Sequence, residues 1–265
     1  MIKQKYLWNM LTMMMVGMLS IGFTSCGDDE PEKTPNTFIN GHEAVDLGLP
    51  SGTKWATMNI GAISAYHRGE FFQWSESGYV YDDENVGWNS NYKPGNMAYT
   101  GTTSSYCGTE NDAVFADGII AKDAMGNWNG SIAGNAKYDA ATANWGGSWK
   151  MPTKAQMDEL INQCTWTYSN SIIDGGFSGY TVRGKNGNTI FLPLGGYRRY
   201  LNLDRGSSCG SYWSATVSQS SPANAYYLTF EINATSGNAR VNAEERIYGF
   251  SIRAVSNETP EDRKQ

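Results

Sequence analysis

The sequence predicts a turn-rich globular domain in which one clear helix accompanies many short strands. The 265-residue chain has 30 glycines and 13% aromatic residues but only 17% charged residues, which is typical of short strands joined by turns and not of a disordered chain. One stretch has helical periodicity, whereas several short stretches alternate apolar and polar residues. The length is sufficient for one large domain or two small ones.

The start of the chain is predicted to be an export signal followed by a tether. Within residues 1–25, two lysines precede an apolar run that ends in small residues, which is the pattern of a signal peptide. The residues before Cys26 resemble the end of a bacterial lipoprotein signal, so we expect cleavage before Cys26 and lipid on its thiol and new amine. An ordinary secretory signal with an incidental cysteine is the alternative. Residues 26–40 contain prolines and many polar residues, so we expect a flexible acidic tether there.

The net charge of the chain argues against one class of partner, and an acidic tract near its start predicts its location. The formal net charge is −6, and removal of residues 1–25 removes two lysines and no acid, which leaves −8. Such an acidic balance argues against a nucleic-acid partner. The tract 27–32, GDDEPE, resembles the export signal of lipoproteins in Bacteroidetes-type bacteria. We therefore expect a lipid anchor in the outer membrane with the domain facing the cell exterior, although the tract is equally suited to a solvated tether.

The clearest predicted element is a helix that follows Pro152. Thr153 is a good N-cap, and Gln156 stands three residues later, which is the spacing of a capping box. The apolar stripe that follows consists of Met157, Leu160, Ile161 and Cys164. The residues predicted to face away are Asp158, Glu159 and Asn162. An amphipathic helix of about three turns is not stable alone in water, so we expect strands to cover its stripe.

Strands are predicted on both sides of this helix. Residues 43–60 have the pattern of a hairpin around a Pro-Ser-Gly turn, and residues 180–192 that of a second hairpin around Asn-Gly. Three further alternating strands are predicted at 212–216, 225–230 and 249–255. Residues 75–144 have little periodicity, so we expect a long loop region there, and such regions often carry function.

Several of these segments together resemble one family. The segments are VDLGLPSGTKWATMNIGA (45–62), NWGGSWKMPTKAQMDELINQCTW (144–166), GYTVRGKNGNTIFLPLGGYR (179–198), GSYWSAT (210–216), AYYLTF (225–230) and YGFSIRAV (248–255). They resemble the Fibrobacter succinogenes major paralogous domain, which is common in lipoproteins of gut Bacteroidetes. The resemblance places this domain at residues 41–256, followed by a charged tail at 257–265.

The helix followed by GSYWSAT and a terminal FSIRAV strand also resembles the wider C-type-lectin-like superfamily. This resemblance implies an α+β, C-type-lectin-like domain with small twisted antiparallel sheets, one or two helices and long loops. The superfamily includes glycan binders, adhesins and formylglycine-generating oxidases. The implied fold therefore does not settle the function.

The sequence predicts neither a catalytic site nor a cofactor. The two histidines, His42 and His67, lack partners at ligand or triad spacing, and hydrolase, metalloprotease and phosphate-loop motifs are missing. Cys209 stands alone where a formylglycine-generating oxidase needs two cysteines, so we disfavour that activity. Residues 82–84 and 112–139 are rich in acids and Asn, which leaves calcium as the alternative to solvated acids, although no EF-hand spacing is present.

The remaining cysteines and one arginine are predicted to be structural. With Cys26 set aside, the odd count of Cys107, Cys164 and Cys209 leaves at least one thiol free, and the pairing of the others stays open. Arg253 lies on an alternating strand, so we expect it to be half-buried beside an acidic partner.

The candidate ligand site is the run Tyr197, Arg198, Arg199 and Tyr200. Two aromatic and two cationic side chains follow a Gly-Gly pair, where a loop is expected, and Tyr and Arg are enriched at binding hot spots. A solvated loop with one core tyrosine is the alternative. We therefore predict a non-catalytic surface module that binds a glycan or a host or partner protein. A subunit of a surface adhesion or fimbria-like assembly is the other function considered.

Overall fold

A computed structural model shows that small antiparallel sheets dominate the fold. It describes residues 36–77, 113–170, 173, 175–199, 202–232 and 238–258. The structure is 40% strand and only 11% helix, so its class is close to all-β. The predicted α+β, C-type-lectin-like class is therefore wrong. The signal peptide with Cys26, the acids at 82–84 and Cys107 lie outside the described residues.

Fourteen short strands are arranged in five antiparallel sheets within the described residues. In chain order the strands are β1 (Thr37–Ile39), β2 (His42–Asp46), β3 (Lys54–Ala56), β4 (Ile120–Lys122), β5 (Trp128–Gly130), β6 (Thr165–Ser169), β7 (Gly179–Arg183), β8 (Thr189–Pro193), β9 (Tyr197–Arg199), β10 (Asn202–Asp204), β11 (Cys209–Val217), β12 (Asn224–Glu231), β13 (Arg240–Glu245) and β14 (Val255–Ser256). The sheets are β1-β2-β3-β14, β6-β7-β8, β11-β12-β13, β4-β5 and β9-β10.

The helices are too short to form a layer of their own, which is why the α+β prediction fails. They are α1 (Ala113–Ala116), α2 (Ala140–Trp145) and α3 (Lys154–Gln163). Even α3 has only ten residues, and none of the described helices is long and apolar enough to span a membrane.

The helix predicted after Pro152 is confirmed as α3, including its capping box. The Thr153 side chain accepts a hydrogen bond from the Gln156 N–H, and the Gln156 side-chain oxygen accepts one from the Thr153 N–H at 2.9 Å. On the apolar stripe, Met157 and Leu160 are fully buried. Ile161 and Cys164 are only partly buried against the same core, because they lie at the edge of the contact with the sheets.

The face of α3 that was predicted to meet solvent also has a structural role. The Glu159 carboxylate accepts hydrogen bonds from the Ser51 N–H, at 2.9 Å, and from the Ser51 hydroxyl. Ser51 belongs to the predicted Pro-Ser-Gly turn, which the bond from Gly52 N–H to the Leu49 carbonyl closes at 2.9 Å. Glu159 therefore connects α3 to the turn between β2 and β3.

Both predicted hairpins are present, and each has a local cause. Val45 pairs with Trp55 in the first hairpin, whose second strand ends at Ala56 and not at residue 60. In the second hairpin, Arg183 pairs with Thr189, and Gly187 in the connecting turn has φ +82°. Glycine adopts that left-handed conformation without steric cost.

The last predicted strand is instead a connector between sheets, here called the central segment (residues 249–255). Its N–H and C=O groups pair with a different neighbour at almost every step: Phe250 with Phe72, Ser251 with Ser211 and Trp213, Ile252 with Ile60, Ala254 with Ala56, and Val255 with Lys150. No single neighbouring strand follows the segment along its length, so only Val255–Ser256 forms a regular strand.

Arg253 in the central segment is structural, but its partners are not the acid that we expected. The buried guanidinium donates to the Asn59 side-chain oxygen at 2.8 Å and to the carbonyls of Ala56 and Phe191 at 3.2 and 2.8 Å. Burial lowers the pKa of Arg253 to about 10. Neutral acceptors on three segments therefore satisfy this cation, and it connects those segments through one side chain.

Candidate ligand-binding cavity

The sheet β11-β12-β13 has one apolar face and a second face that is polar at one end, because its residues alternate. Directly paired residues of antiparallel strands share a face. Tyr212 and Leu228 are paired, and Leu228 pairs in turn with Val241; this face packs into the core. Ser211 pairs with Thr229, and Thr229 with Arg240. These polar residues therefore lie together on the opposite face.

A cavity of about 220 Å³ lies over these polar residues. We call it the tyrosine cavity, after Tyr197, Tyr227 and Tyr248 in its lining. Its lining comes from the sheet, from the β9-β10 hairpin with the turn that follows it, and from the start of the central segment. The lining residues are Tyr197, Arg205, Cys209, Ser211, Tyr227, Thr229, Glu231, Arg240, Glu244, Tyr248 and Phe250.

The run Tyr197–Arg199 is a strand and not the loop that we predicted. It pairs with Asn202–Asp204, and it is also bonded on its other side, since Arg198 and Gly249 exchange backbone hydrogen bonds of 2.8 and 2.9 Å. The preceding Gly196 has φ +71°, and a Cβ at this position would lie 2.6 Å from the Asp204 carbonyl oxygen. The Gly-Gly pair therefore allows a close hairpin rather than an open loop.

The strand separates the four predicted ligand residues. Tyr197 lines the cavity, and the Arg199 guanidinium lies 5.7 Å from the ring centroid of Tyr248. Arg198 points the other way and is buried. There, burial and the charge of Arg68 lower the pKa of Arg198, against the opposite effect of Glu70. Tyr200 lies outside the described residues. Alternation along β9 explains why residues 197 and 199 share one side.

Aromatic rings form one wall and the floor of the cavity. Buried Phe250 is the floor, with the ring centroids of Tyr227 and Tyr197 at 4.7 and 5.8 Å from its own. Burial raises the pKa of Tyr197, Tyr227 and Tyr248, and the charge of Glu244 adds to the effect at the last two. Their hydroxyls are therefore protonated at neutral pH and can both donate and accept hydrogen bonds.

Charged side chains of both signs form the rest of the cavity lining. Glu231 Oε1 lies 3.3 Å from Arg205 Nη1 and 3.5 Å from Arg240 Nη2. Burial alone lowers the pKa of Arg205, but the attraction and hydrogen bond of Glu231 outweigh it, and the net shift is upward. With Glu244, the charged groups of the lining are two arginines and two glutamates. The lining is therefore polar with no net charge.

The cysteine in the cavity is poorly suited to covalent chemistry. Cys209 is buried and free, and burial raises the pKa of its thiol. A thiol acts as a nucleophile only as the thiolate, and apolar burial disfavours that form. Cys164 is free as well, and burial raises its pKa to about 11.

The described residues contain no group of three or more His, Cys, Asp or Glu side chains that could hold a metal ion. The described part of the acid-rich stretch 112–139 forms turns and caps instead. Asp123, for example, accepts hydrogen bonds from the Met125 and Asn127 N–H groups at 2.9 Å.

Two other cavities, of about 340 and 310 Å³, lie beside the loop 57–69. The larger is lined by Thr57, Ala65, Tyr66, Ser169, Ile173, Thr181, Thr189, Ile190 and Phe191. The smaller contains Arg68 and His67 among glycine and apolar residues. Their described linings contain no acidic side chain, so these two cavities offer a narrower set of polar interactions than the tyrosine cavity.

Most of the residues of the tyrosine cavity were not identified from the sequence. Tyr227, Glu231, Arg240, Glu244 and Tyr248 lie in three separate segments. A signal was present in β12, where residues at odd positions from 227 to 231 are polar or amphipathic while Leu228 and Phe230 are apolar.

No family model, curated protein or solved structure matches this chain. The fold and the cavity together define a mainly β domain with a tyrosine-lined polar cavity. The chemistry of that cavity is therefore the basis for a function.

Proposed function

We propose that this chain is a non-catalytic binding module, held on the outside of the cell, whose tyrosine cavity takes a saccharide. The observation that carries the proposal is one cavity that combines three half-buried tyrosines with an Arg–Glu–Arg group. Aromatic faces pack against the apolar faces of sugar rings, while charged groups make strong, directional hydrogen bonds to hydroxyls.

The location in this proposal comes from the sequence. The lipoprotein-like signal would place lipid on Cys26, and the acidic tether would hold the domain outside the outer membrane. Several acyl chains together give stable anchoring where a single chain does not. The resemblance of residues 41–256 to the Fibrobacter succinogenes major paralogous domain favours the same location.

A binding role is supported by the state of the candidate reactive groups. Burial keeps the Cys209 thiol protonated, and Glu231 Oε1 is already engaged in ion pairs with Arg205 Nη1 and Arg240 Nη2. A protein ligand is the second candidate, because Tyr and Arg serve protein paratopes as well.

The test is a glycan array and a pull-down from the same sample, using residues 27–265. We expect a saccharide hit that Tyr248→Ala abolishes, because that substitution removes an aromatic wall. Phe38→Ala is the matched control, since Phe38 is an exposed aromatic on β1 that does not line the cavity.

Two outcomes would overturn the proposal. Capture of one protein partner with a blank glycan array would identify an adhesion or assembly subunit. Saturable turnover of any saccharide, lost in Glu231→Gln or Glu244→Gln, would identify an enzyme, since paired carboxylates are the machinery of glycoside hydrolysis.

A further inference from the structure

We infer that Glu231 is the specificity-determining residue of the tyrosine cavity and makes it select a single neutral sugar residue over an acidic one. This inference rests on the proposed function, and it adds the class of saccharide and the residue that chooses it. The starting observation is the balance of two arginines and two glutamates in the lining.

Glu231 lies between the two arginines of the lining and contacts both of them. It ends β12 and is paired with Cys209 across the sheet, which places it between the turn after β10 and the neighbouring strand β13. Both guanidinium contacts fall on Oε1. The other carboxylate oxygen, Oε2, is therefore oriented by the two arginines and can accept a hydrogen bond from a sugar hydroxyl.

One of the two arginines is held in place before any ligand binds. Arg205 has φ +51°, a left-handed conformation that is uncommon for a residue with a side chain. Its carbonyl accepts hydrogen bonds from the Ser208 N–H, the Ser208 hydroxyl and the Cys209 N–H, at 3.0, 2.9 and 3.3 Å. A turn held in this way reduces the entropy lost on binding.

Size and charge then define the ligand. A volume of about 220 Å³ is below the roughly 300–1,000 Å³ typical of pockets for drug-sized ligands, so the cavity suits one sugar ring. A uronic acid would bring a carboxylate beside Glu231 and Glu244. Both arginines of the lining already form ion pairs with Glu231. Like charges at such distances repel strongly in a partly desolvated site.

A substitution of Glu231 that conserves shape should change the preference of the cavity between neutral and acidic sugars. Glu231→Gln removes one negative charge, so the lining changes from no net charge to +1, and both guanidiniums lose their carboxylate. Arginine binds carboxylates through paired, charge-assisted hydrogen bonds. The variant should therefore weaken binding of neutral sugars and gain binding of the matching uronic acids.

The experiment is calorimetric titration with two matched pairs of probes: methyl glucoside with methyl glucuronide, and methyl galactoside with methyl galacturonide. The members of each pair differ only in a hydroxymethyl group against a carboxylate. We expect the unaltered protein to bind a neutral member about tenfold or more tightly than its acidic partner, and we expect Glu231→Gln to reverse that order. Arg240→Gln should increase the preference for the neutral sugar, because it leaves the lining with net charge −1. Glu43→Gln, the same substitution on β2, should leave the ratio unchanged.

An unchanged ratio in Glu231→Gln, with neutral-sugar binding and melting temperature retained, would overturn the role of Glu231 and leave the proposed function standing. Preference of the unaltered protein for a uronide, or binding of none of the four probes, would overturn the neutral-sugar inference. The saccharide function itself falls only if the glycan array is also blank, so the two failures are distinguishable.

Discussion

The rings of Tyr197 and Tyr248 meet at the cavity with their centroids 5.9 Å apart and their planes at 60°. The first belongs to the β9-β10 hairpin, and the second precedes the central segment. The backbone bonds between Arg198 and Gly249 hold the two segments side by side. The wall of the cavity therefore exists only when the hairpin is docked against the central segment.

Arg198 and Arg199 are neighbours in sequence, but we expect their substitutions to have different effects. Arg198→Ala should lower the free energy of unfolding by about 1–3 kcal/mol, because it removes a large buried side chain near Glu70. Arg199→Ala should change that free energy by less than about 0.5 kcal/mol, because the side chain is exposed. It should instead weaken saccharide binding indirectly, through the ring of Tyr248, whose centroid lies 5.7 Å from the guanidinium. Urea denaturation and array binding measure the two effects, and equal stability losses would contradict this assignment.

Alanine substitutions along the apolar stripe of α3 should lower the free energy of unfolding by amounts that follow the burial of each residue. Leu160→Ala should cost about 2–5 kcal/mol, as expected for a fully buried leucine. Ile161→Ala should cost less than about 2 kcal/mol, since Ile161 is only partly buried. Chemical denaturation gives both values, and similar small costs would show that α3 does not cover the core.

Asp139→Asn should destabilise the protein, even though asparagine has nearly the same shape as aspartate. Its Oδ1 accepts from the Ala141 and Thr142 N–H groups, and its Oδ2 from those of Gly134 and Met151. Asp139→Asn replaces one acceptor with an NH₂ group facing donors, so we expect a loss of roughly 2–4 kcal/mol.

Asp123→Asn is the matched control for Asp139→Asn. At that exposed turn, Oδ1 alone accepts both backbone N–H groups, and an amide oxygen can take its place. The control should stay within about 0.5 kcal/mol of the unaltered protein in the same denaturation assay. Equal losses at the two positions would show that the four N–H contacts of Asp139 do not determine its effect.

Tyr212 should make the stability of the protein fall in alkaline solution. Burial raises its pKa from 10.0 to about 12, and its hydroxyl donates to the Pro193 carbonyl at 2.7 Å. The folded form holds the proton more tightly than the unfolded chain, so this contribution is fully present below pH 10 and is lost as pH rises through about 12. The advantage over Tyr212→Phe should fall by about 1.4 kcal/mol per pH unit in that window. Parallel denaturation curves at pH 8 and 11 test this, and a constant difference would contradict it.

Cys26 provides a test of location that is independent of the cavity. If the proposed lipid anchor exists, Cys26→Ala should stop incorporation of labelled palmitate and release the protein from the detergent phase, because the substitution removes the thiol to which lipid would be attached. Labelling of Cys26→Ala equal to that of the unaltered protein would rule out the anchor.

The sequence predicted those features whose causes are local. The capping box of Thr153 and Gln156 and the Asn-Gly hairpin each depend on residues within a few positions of one another, and both are confirmed. The strand character of Tyr197–Arg199 was missed because its partners are a short polar strand and the backbone of Gly249. The cavity was missed because strand register, which a single sequence does not encode locally, brings its residues together.

The central segment determines when the protein can fold. Its contacts reach far back along the chain: the Arg253 guanidinium meets Asn59, 194 positions earlier. Contacts of such long range are made slowly, because the intervening chain must first be closed into a loop. A chain emerging from the ribosome therefore cannot complete its hydrophobic core until residue 255 is available, because Phe250, Ile252 and Val255 are buried in that core. Such a delay would suit the export that the N-terminal sequence predicts, because a chain that is still open could pass a secretion channel that admits only unfolded chains.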